Sequence, residues 1–157
     1  MSAGKAIDIE EQYDKIYRYC YFKLRSRETA EDITQETFLR CYERYGHYGN
    51  EWTLQYLYRI AHNLCIDEYR KKKPVQIPEE LPDKSYEEEI LTRVWIKDAL
   101  SELAEEEKEL LLLRYVNEVP VGVIVTVFGM SRFAYYRKVK KALQKLQNKL
   151  GVSHDEN

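Results

Sequence analysis

The sequence predicts an all-α protein made of two small helical domains joined by a flexible acidic linker. Apolar residues recur every three or four positions along most of the chain, which is the spacing of one face of a helix. The 157 residues include four prolines and six glycines, so helix breakers are few. The one long stretch without this periodicity is proline-rich and acidic, and it lies between two periodic halves.

The first predicted domain spans residues 1–73 and holds three helices, the last of which ends before Pro74. Thr29, with Asp32 three residues later, resembles a capping box at the start of the second helix. Thr53 is placed to cap the third. The apolar stripes predict these inward-facing residues: Ile9, Tyr13, Ile16, Tyr17, Cys20 and Leu24 in the first helix; Ala30, Ile33, Thr37, Phe38, Cys41, Tyr42 and Tyr45 in the second; Leu54, Leu57, Ile60, Ala61, Leu64 and Cys65 in the third.

Residues 74–90 form the predicted linker, with three prolines and six acidic residues and little to bury. Residues 91–151 form the second predicted domain, with four shorter helices, and residues 152–157 are a tail. The last two helices of this domain are joined at Gly129, which supplies a turn. The residues predicted to point inward in this pair are Ile124, Phe128, Met130, Tyr135, Val139 and Ala142.

Charge is strongly segregated along the chain, although the formal net charge is only −2. Residues 1–73 carry a net charge of +1, residues 74–113 carry −8, and residues 114–151 carry +7, with eight basic residues and one acidic residue. A basic C-terminal block behind an acidic connector is typical of a nucleic-acid-binding module on a tether.

Several classes of function find no support in the sequence. It contains no nucleophile elbow, phosphate-binding loop or pair of inward carboxylates, so we expect no enzyme activity. The cysteines are three in number, Cys20, Cys41 and Cys65, and none belongs to a C-x-x-C pair. His62 and Cys65 lie one helical turn apart, but no second pair has ligand spacing. We therefore expect neither a metal nor a cofactor, and we interpret the cysteines as small apolar core residues.

The sequence also predicts a protein that acts in the cytoplasm. No apolar run approaches the roughly 20 residues that a membrane span needs. The first eleven residues carry acids instead of the basic and then apolar pattern of a secretory signal.

The C-terminal helix pair has the pattern of a helix-turn-helix. From Gly129 to Leu150 there are seven basic residues and no acidic one. A recognition helix needs cations for phosphates together with side chains that reach base edges. The alternative is a solvated basic amphipathic helix without a DNA partner. The outer face of the predicted helix carries Arg132, Phe133, Tyr136, Arg137 and Lys140.

Two segments of the N-terminal half carry a family resemblance. Residues 30–40 read AEDITQETFLR, and residues 57–70 read LYRIAHNLCIDEYR. They resemble region 2 of sigma factors of the extracytoplasmic-function (ECF) group of the sigma-70 family of RNA polymerase sigma factors. Residues 99–143 resemble region 4 of the same group. The order and spacing of the two regions match the family as well, and together they cover nearly the whole chain.

The resemblance implies a transcription initiation factor that binds core RNA polymerase and promoter DNA. Region 2 would dock on the clamp helices of the β′ subunit through Asp32, Gln35, Glu36 and Arg40, and region 4 would meet the β flap. Without the motif, these four residues would be a solvated helix face. The resemblance also implies an anti-sigma factor as a partner, for which Val121, Val123 and Val127 are a candidate contact patch.

The resemblance further implies two DNA-binding sites. Aromatic and amide groups that can hold an unstacked base are dense around the turn after the second helix, although we expect at least two of the rings to be buried. The residues implied at the minus-ten element are Tyr45, His47, Tyr48, Asn50, Trp52, Tyr56, Arg59, Asn63, Arg70 and Lys71. Those implied at the minus-thirty-five element are Ser131, Arg132, Phe133, Tyr136, Arg137 and Lys140.

The second half departs from the family pattern. Ala104 stands where the family often has proline, and residues 123–125 read Val-Ile-Val in place of the usual Glu-Ile-Ala. Valine is a mediocre helix former, so either this helix pair packs loosely or the valines face another protein. The alternative function is therefore a helix-turn-helix regulator, or a pseudo-sigma, that binds promoters without melting them.

Overall fold

The computed structural model describes residues 8–46, 53–71 and 98–151, and within these ranges the chain forms helices and turns and no strand. The predicted all-α fold class is confirmed. The described residues divide into two compact units: residues 8–71 together with residues 126–128, and residues 98–125 together with residues 129–151. The predicted linker, residues 74–90, and the predicted tail, residues 152–157, lie outside the described residues.

The first unit consists of α1 (Ile9–Leu24), α2 (Arg27–Tyr45) and α3 (Leu54–Lys71), and each helix packs against the other two. The residues of its core are apolar, or small polar residues whose hydroxyls are hydrogen-bonded within their own helix, and this lets the helices pack closely. The buried apolar side chains are Ile16, Tyr19, Cys20, Ala30, Ile33, Cys41, Leu57, Tyr58, Ala61 and Cys65.

Two threonines of α2 are fully buried, and both are satisfied within their own helix. The hydroxyl of Thr34 donates to the carbonyl of Ala30 at 2.7 Å, and that of Thr37 donates to the carbonyl of Ile33 at 2.8 Å. A buried hydroxyl without a partner would destabilise the fold, whereas this local bond needs nothing from neighbouring helices.

The predicted start of α2 is wrong. Ser26, not Thr29, is the N-cap: its Oγ accepts from the backbone N–H of Thr29 at 3.2 Å. The chain turns sharply just before it, because Arg25 adopts a left-handed conformation (φ 55°) that ends α1. The helix therefore begins three residues earlier than the capping-box pattern indicates. The predicted cap at Thr53 is found, since its Oγ1 accepts from the N–H of Tyr56 at 3.0 Å.

Two inward predictions in the first unit are also wrong, and the buried Tyr58 was not among the residues predicted inward. Tyr42 is 42% exposed and Ile9 is 39% exposed, whereas Tyr58 is 3% exposed. Ile9 is the first residue of α1 and directly follows the N-cap Asp8. Tyr42 follows the fully buried Cys41 and is rotated away from the core by about 100°, the turn per helical residue. Tyr58 is buried because its ring packs edge-on against Tyr19, with centroids 6.1 Å apart.

The second unit contains α4 (Glu105–Leu111), which continues into a π-helical turn, then the first five residues of α5 (Val121–Phe128), and α6 (Arg132–Leu150). The predicted turn at Gly129 is present, because this residue has a φ of +66° that a glycine adopts without strain. The N–H of Met130 donates to the carbonyl of Val125 at 3.0 Å and closes the turn. The buried apolar residues are Ala99, Leu103, Leu110, Leu111, Leu113, Val119, Ile124, Tyr135, Val139 and Ala142.

The inward predictions for the helix pair hold at four positions out of six. Ile124, Tyr135, Val139 and Ala142 are buried, whereas Phe128 and Met130 are half-buried. Both exceptions flank Gly129, where the chain leaves one helix axis for the next and the helical spacing no longer applies.

Helices α4 and α6 are in contact, and ion pairs join them. Lys138 Nζ lies 3.0 Å from Glu106 Oε1, and Lys145 Nζ lies 3.1 Å from Glu107 Oε1. The same Glu107 oxygen accepts from the N–H of Ala104 at 2.9 Å, which closes the first turn of α4. Glu107 therefore serves both as a cap of α4 and as an anchor for α6.

We expect Ser26→Ala to lower the free energy of unfolding by about 1 kcal/mol, because α2 then loses its side-chain N-cap. Ser26→Asp, which can still accept the bond from Thr29, should retain most of the stability. Urea unfolding followed by circular dichroism measures both. A larger loss in Thr29→Ala than in Ser26→Ala would contradict this assignment of the cap.

Glu107 makes the stability of the second unit depend on pH. Burial opposes its ionisation, but the hydrogen bonds from Ala104 and Lys145, together with the positive charges of Lys145 and Lys141, outweigh this and hold the pKa of Glu107 below its usual value of 4.5. A folded-state pKa below the unfolded one stabilises the fold above pH 4.5, and this contribution is lost as the pH falls through the folded value.

We therefore expect Glu107→Gln to lower the free energy of unfolding at neutral pH by about 1 kcal/mol. The difference from the unsubstituted chain should shrink in acid, where Glu107 is protonated. Urea titrations at several pH values measure it. The control is Glu105→Gln, an exposed acid of the same turn that pairs with Lys108. A Glu107→Gln deficit that stays constant with pH would contradict the stated cause.

Candidate protein and DNA interfaces

One side of α2 is polar and faces away from the core. Asp32, Gln35 and Arg40 are exposed and Glu36 is half-buried. Arg40 Nε donates to Glu36 Oε2 at 2.9 Å, one helical turn away. The opposite side of the helix is occupied by buried residues, so these polar groups are available to a partner. We refer to Asp32, Gln35, Glu36 and Arg40 as the α2 face.

The sequence reasoning missed an apolar member of this surface. Leu39 is 49% exposed and lies one turn beyond Gln35, next to Arg40. A single exposed leucine is common on protein surfaces, but this one stands between the polar groups of the α2 face. Its spacing could have predicted this, because Leu39 lies four residues after Gln35, on the same side of α2, and outside the buried stripe.

The end of α2 and the start of α3 bring two of the predicted aromatic residues together. The rings of Tyr45 and Tyr56 meet edge to face with centroids 5.4 Å apart. The guanidinium of Arg44, which was not predicted, lies 5.7 Å from both centroids. A hydrogen bond to Tyr45 and attraction to both phenols raise the pKa of Arg44. We call Arg44, Tyr45 and Tyr56 the aromatic cluster.

The expectation that at least two of the predicted rings are buried is only partly addressed. Tyr45 and Tyr56 are both half-buried, since each covers part of the other. The remaining predicted groups of this region, His47, Tyr48, Asn50 and Trp52, lie outside the described residues.

Exposed polar residues continue from the aromatic cluster along α3. Arg59 and Asn63 lie three and seven residues after Tyr56, which places them on the same side of the helix. Arg70 follows Asn63 by seven residues, or about two helical turns, on that side, and Lys71 is exposed beside it. These side chains form a polar stripe that begins beside the two rings and contains the cations Arg59, Arg70 and Lys71.

The outer face of α6 is exposed as predicted, over Arg132, Phe133, Tyr136, Arg137 and Lys140. We refer to these five residues as the α6 face. Ser131, also a predicted contact, is the N-cap of α6, and its Oγ accepts from the N–H of Ala134 at 3.0 Å. Its hydroxyl therefore has a structural role whether or not it meets DNA.

The structure separates the seven cations of this segment into two groups. Lys138, Lys145 and Lys149 form ion pairs with acids of their own unit, at 3.0 to 3.8 Å. Within the described part of the chain, the other four cations, Arg132, Arg137, Lys140 and Lys141, form no ion pair, and three of them belong to the α6 face. Lys141 acts on Glu107 through its charge. The charge that a sequence count assigns to the whole helix is thus concentrated on the α6 face.

The structure also locates the valines of α5 and the three cysteines. Val121, Val123, Val125 and Val127 are half-buried, and Ile124 is the buried residue of this helix. All three cysteines are buried, and burial raises the pKa of Cys41 to about 12. Among the described residues there is no cluster of three ligating side chains suited to a metal. None of the described helices is long and apolar enough to cross a membrane.

Comparison with known proteins finds sigma factors along the whole chain. The family model of sigma-70 region 2 matches residues 9–75, which include α1, α2 and α3. The ECF RNA polymerase sigma factor SigW of Bacillus subtilis is 49% identical over 69 residues, which are 43% of this chain and 37% of SigW. BldN of Streptomyces coelicolor, another ECF sigma factor, is 30% identical over 148 residues, covering 83% of this chain and 56% of BldN.

The chain therefore spans less than two thirds of these two relatives, whereas it covers 91% of the ECF sigma factor SigM of Bacillus subtilis, at 28% identity over 149 residues. A solved structure of the sigma factor RpoE in complex with the anti-sigma factor NepR, from Bartonella quintana, has a similar fold. Its TM-score is 0.68 at 18% identity, over 94% of this chain and 99% of that one.

The matched family model covers the helices that carry the α2 face and the aromatic cluster, and full-length relatives extend the similarity over the second unit. The chain belongs to the ECF group of the sigma-70 family of RNA polymerase sigma factors.

Proposed function

We propose that this protein is a transcription initiation factor that binds core RNA polymerase and directs it to specific promoters. The observation that carries the proposal is the α2 face. Its motif residues are turned outward, while the alternate residues of the same motif fill the core. A polar helix face with a fixed backbone and one exposed leucine is suited to docking on another protein.

In this proposal the first unit docks on the β′ clamp helices and the second unit meets the β flap. Asp32 and Gln35 present an acid and an amide to the partner. Glu36 holds Arg40 through its 2.9 Å ion pair, so the guanidinium is positioned before binding. A side chain already held in place loses less conformational entropy on association.

The aromatic cluster and the stripe on α3 would open the minus-ten element. Capture of an unstacked base needs aromatic faces, and the phosphates beside it need cations. Tyr45 and Tyr56 supply the rings, Arg44 lies over both, and Arg59 begins the positive stripe. The predicted contacts His47, Tyr48, Asn50 and Trp52 belong to the same proposal on sequence grounds.

The α6 face would contact the minus-thirty-five element in the major groove. Its exposed cations, Arg132, Arg137 and Lys140, form no ion pair with described residues and are therefore not used by the fold. In this proposal the α2 face, the aromatic cluster and the α6 face are all binding surfaces, and the protein acts without enzyme activity. It would act in the cytoplasm, where the chromosome is.

We also propose an anti-sigma factor as a partner. RpoE, which shares this fold, was solved with the anti-sigma factor NepR. The half-buried Val121, Val123 and Val127 of α5 are the candidate contact patch on this chain. Apolar side chains left partly exposed on a short helix are typical of protein contacts.

Substitution of the α2 face should abolish docking. We expect the double variant Asp32→Ala with Gln35→Ala to bind core polymerase at least about tenfold more weakly, since interface contacts of this kind each contribute about 1 kcal/mol or more. A pull-down with core enzyme and promoter-dependent transcription in vitro measure the effect. The matched control is Asp14→Ala, an exposed acid on α1. Equal binding by the double variant and the control would contradict the docking proposal.

Removal of a ring from the aromatic cluster should impair promoter opening. We expect Tyr56→Ala to reduce the open fraction about tenfold, because a base stacked on an aromatic ring gains about 1–3 kcal/mol, and Tyr56→Phe should retain opening. Fluorescence of 2-aminopurine in the minus-ten element reports melting. Tyr69→Ala is the control, since this exposed tyrosine lies on another side of α3.

The same assay separates the alternative function. A chain that binds promoters with core polymerase but gives no fluorescence rise would be a helix-turn-helix regulator or a pseudo-sigma. Full opening by Tyr56→Ala would instead remove the aromatic cluster from the mechanism and leave initiation to other groups.

A further inference from the structure

The α6 face carries an exposed aromatic ring that the fold does not need. Phe133 is 76% exposed, the largest exposed fraction among the large apolar side chains that the structure describes. Tyr136, its exposed neighbour, packs edge-on against the buried Tyr135 with centroids 5.0 Å apart. Tyr136 is thus tied to the core, whereas Phe133 projects from the helix. The ring of Phe133 is therefore available to a partner that binds this face.

The guanidinium of Arg137 is held over this ring. Its central carbon lies 5.2 Å from the centroid of Phe133, one helical turn away. A cation over an aromatic face is attracted by the electrons of the ring. The planar fork of donors on the guanidinium stays available while its orientation is restricted. Phe133 and Arg137 therefore form a preorganised pair.

The position of the pair in the helix favours base contacts over phosphate contacts. Phe133 and Arg137 are the second and sixth residues of α6. Residues in the first turns of a recognition helix are the ones that reach base edges in the major groove. From Gly129 to Leu150 the segment has no acidic residue that would repel DNA. Duplex DNA is thus the occupant that the charge and the position of this face favour.

The chemistry of the pair matches two base edges. An arginine fork binds the N7 and O6 atoms of guanine, and a phenylalanine ring makes apolar contact with the 5-methyl group of thymine. Side chains one turn apart are separated by about 5–6 Å, and successive base pairs are about 3.4 Å apart. The two bases read by this pair are therefore adjacent or separated by one base pair.

We propose that Phe133 and Arg137 act as one specificity-determining unit that reads a thymine methyl group and a neighbouring guanine in the major groove of the upstream promoter element. The inference rests on the proposed function, because it assigns the sequence preference of the surface that meets the minus-thirty-five element. The ring has two tasks: it contacts the methyl group, and it orients the arginine.

Base analogues test the two contacts atom by atom. Duplexes that bind the full-length chain, alone and with core polymerase, are first selected from a random library. In the selected sequence each thymine is then replaced by uracil, which lacks the methyl group, and each guanine by 7-deazaguanine, which lacks the N7 acceptor. Fluorescence anisotropy measures each affinity.

One thymine position should bind about fourfold more weakly as uracil, the effect of removing one buried methyl group. One guanine position within two base pairs of it should lose about tenfold as 7-deazaguanine. In Phe133→Ala the uracil effect should vanish and the 7-deazaguanine effect should shrink, because the arginine is no longer held. In Arg137→Ala the 7-deazaguanine effect should vanish.

Two further variants separate reading from general affinity. Phe133→Leu keeps an apolar side chain and should keep part of the discrimination between thymine and uracil. Lys140→Gln should weaken binding to all duplexes and leave both analogue effects in place. Uracil and 7-deazaguanine effects that are the same in Phe133→Ala and Arg137→Ala as in the unsubstituted chain would overturn the inference, as would failure to select any duplex.

Transcription from the selected promoter distinguishes this failure from failure of the proposed function. If core polymerase with the chain initiates normally but no analogue effect depends on the pair, the reading unit is wrong and initiation stands. If the analogue effects depend on the pair but the chain supports no transcription, the reading unit stands and the proposed function fails.

Discussion

The packing of α2 between α1 and α3 is the constraint on which the first unit depends. One side of this helix must be buried against two neighbours at once, and it contains two threonines as well as apolar residues. Thr34 and Thr37 can occupy the core because each hydroxyl is bonded to a carbonyl of the preceding turn. The buried hydroxyls therefore need no hydrogen bond from Asp32 or Gln35. The rotation of α2 that buries the threonines also turns those two residues outward.

In α6, too, the residues that are buried determine which residues face outward. Tyr135, Val139 and Ala142 are buried and fix the rotation of the helix, while Lys138 and Lys145 on its flank bind acids of α4. The exposed Lys138–Glu106 pair contributes little to stability, whereas Glu107 of the other pair is buried. Both pairs keep a flexible lysine side chain on the side of α6 that faces α4. Both candidate DNA contacts and polymerase contacts thus lie on surfaces that the packing has already oriented.

The all-α fold class could be predicted from sequence, and so could the exposure of many candidate site residues, because helical periodicity separates inward from outward positions. The remainder depends on contacts between helices. Ser26 and Thr29 are both competent caps, and the choice is made by the backbone at Arg25, which a residue pattern does not specify. Tyr42 and Tyr58 are both aromatic residues beside a buried stripe, and only the neighbouring ring of Tyr19 decides which is buried. Likewise, Arg44 could not be predicted as part of the candidate site, because its contact with both rings depends on how α2 and α3 bring Tyr45 and Tyr56 together.

The cysteines have a practical consequence. The nucleophile in thiol chemistry is the thiolate, and Cys20, Cys41 and Cys65 are all fully buried. With a pKa of about 12, Cys41 in particular is almost entirely protonated at neutral pH. A cysteine placed at an exposed position of α6 would therefore be modified by maleimide dyes well before the native thiols of the folded chain. Spectroscopic probes can be attached next to the α6 face without first removing any natural cysteine.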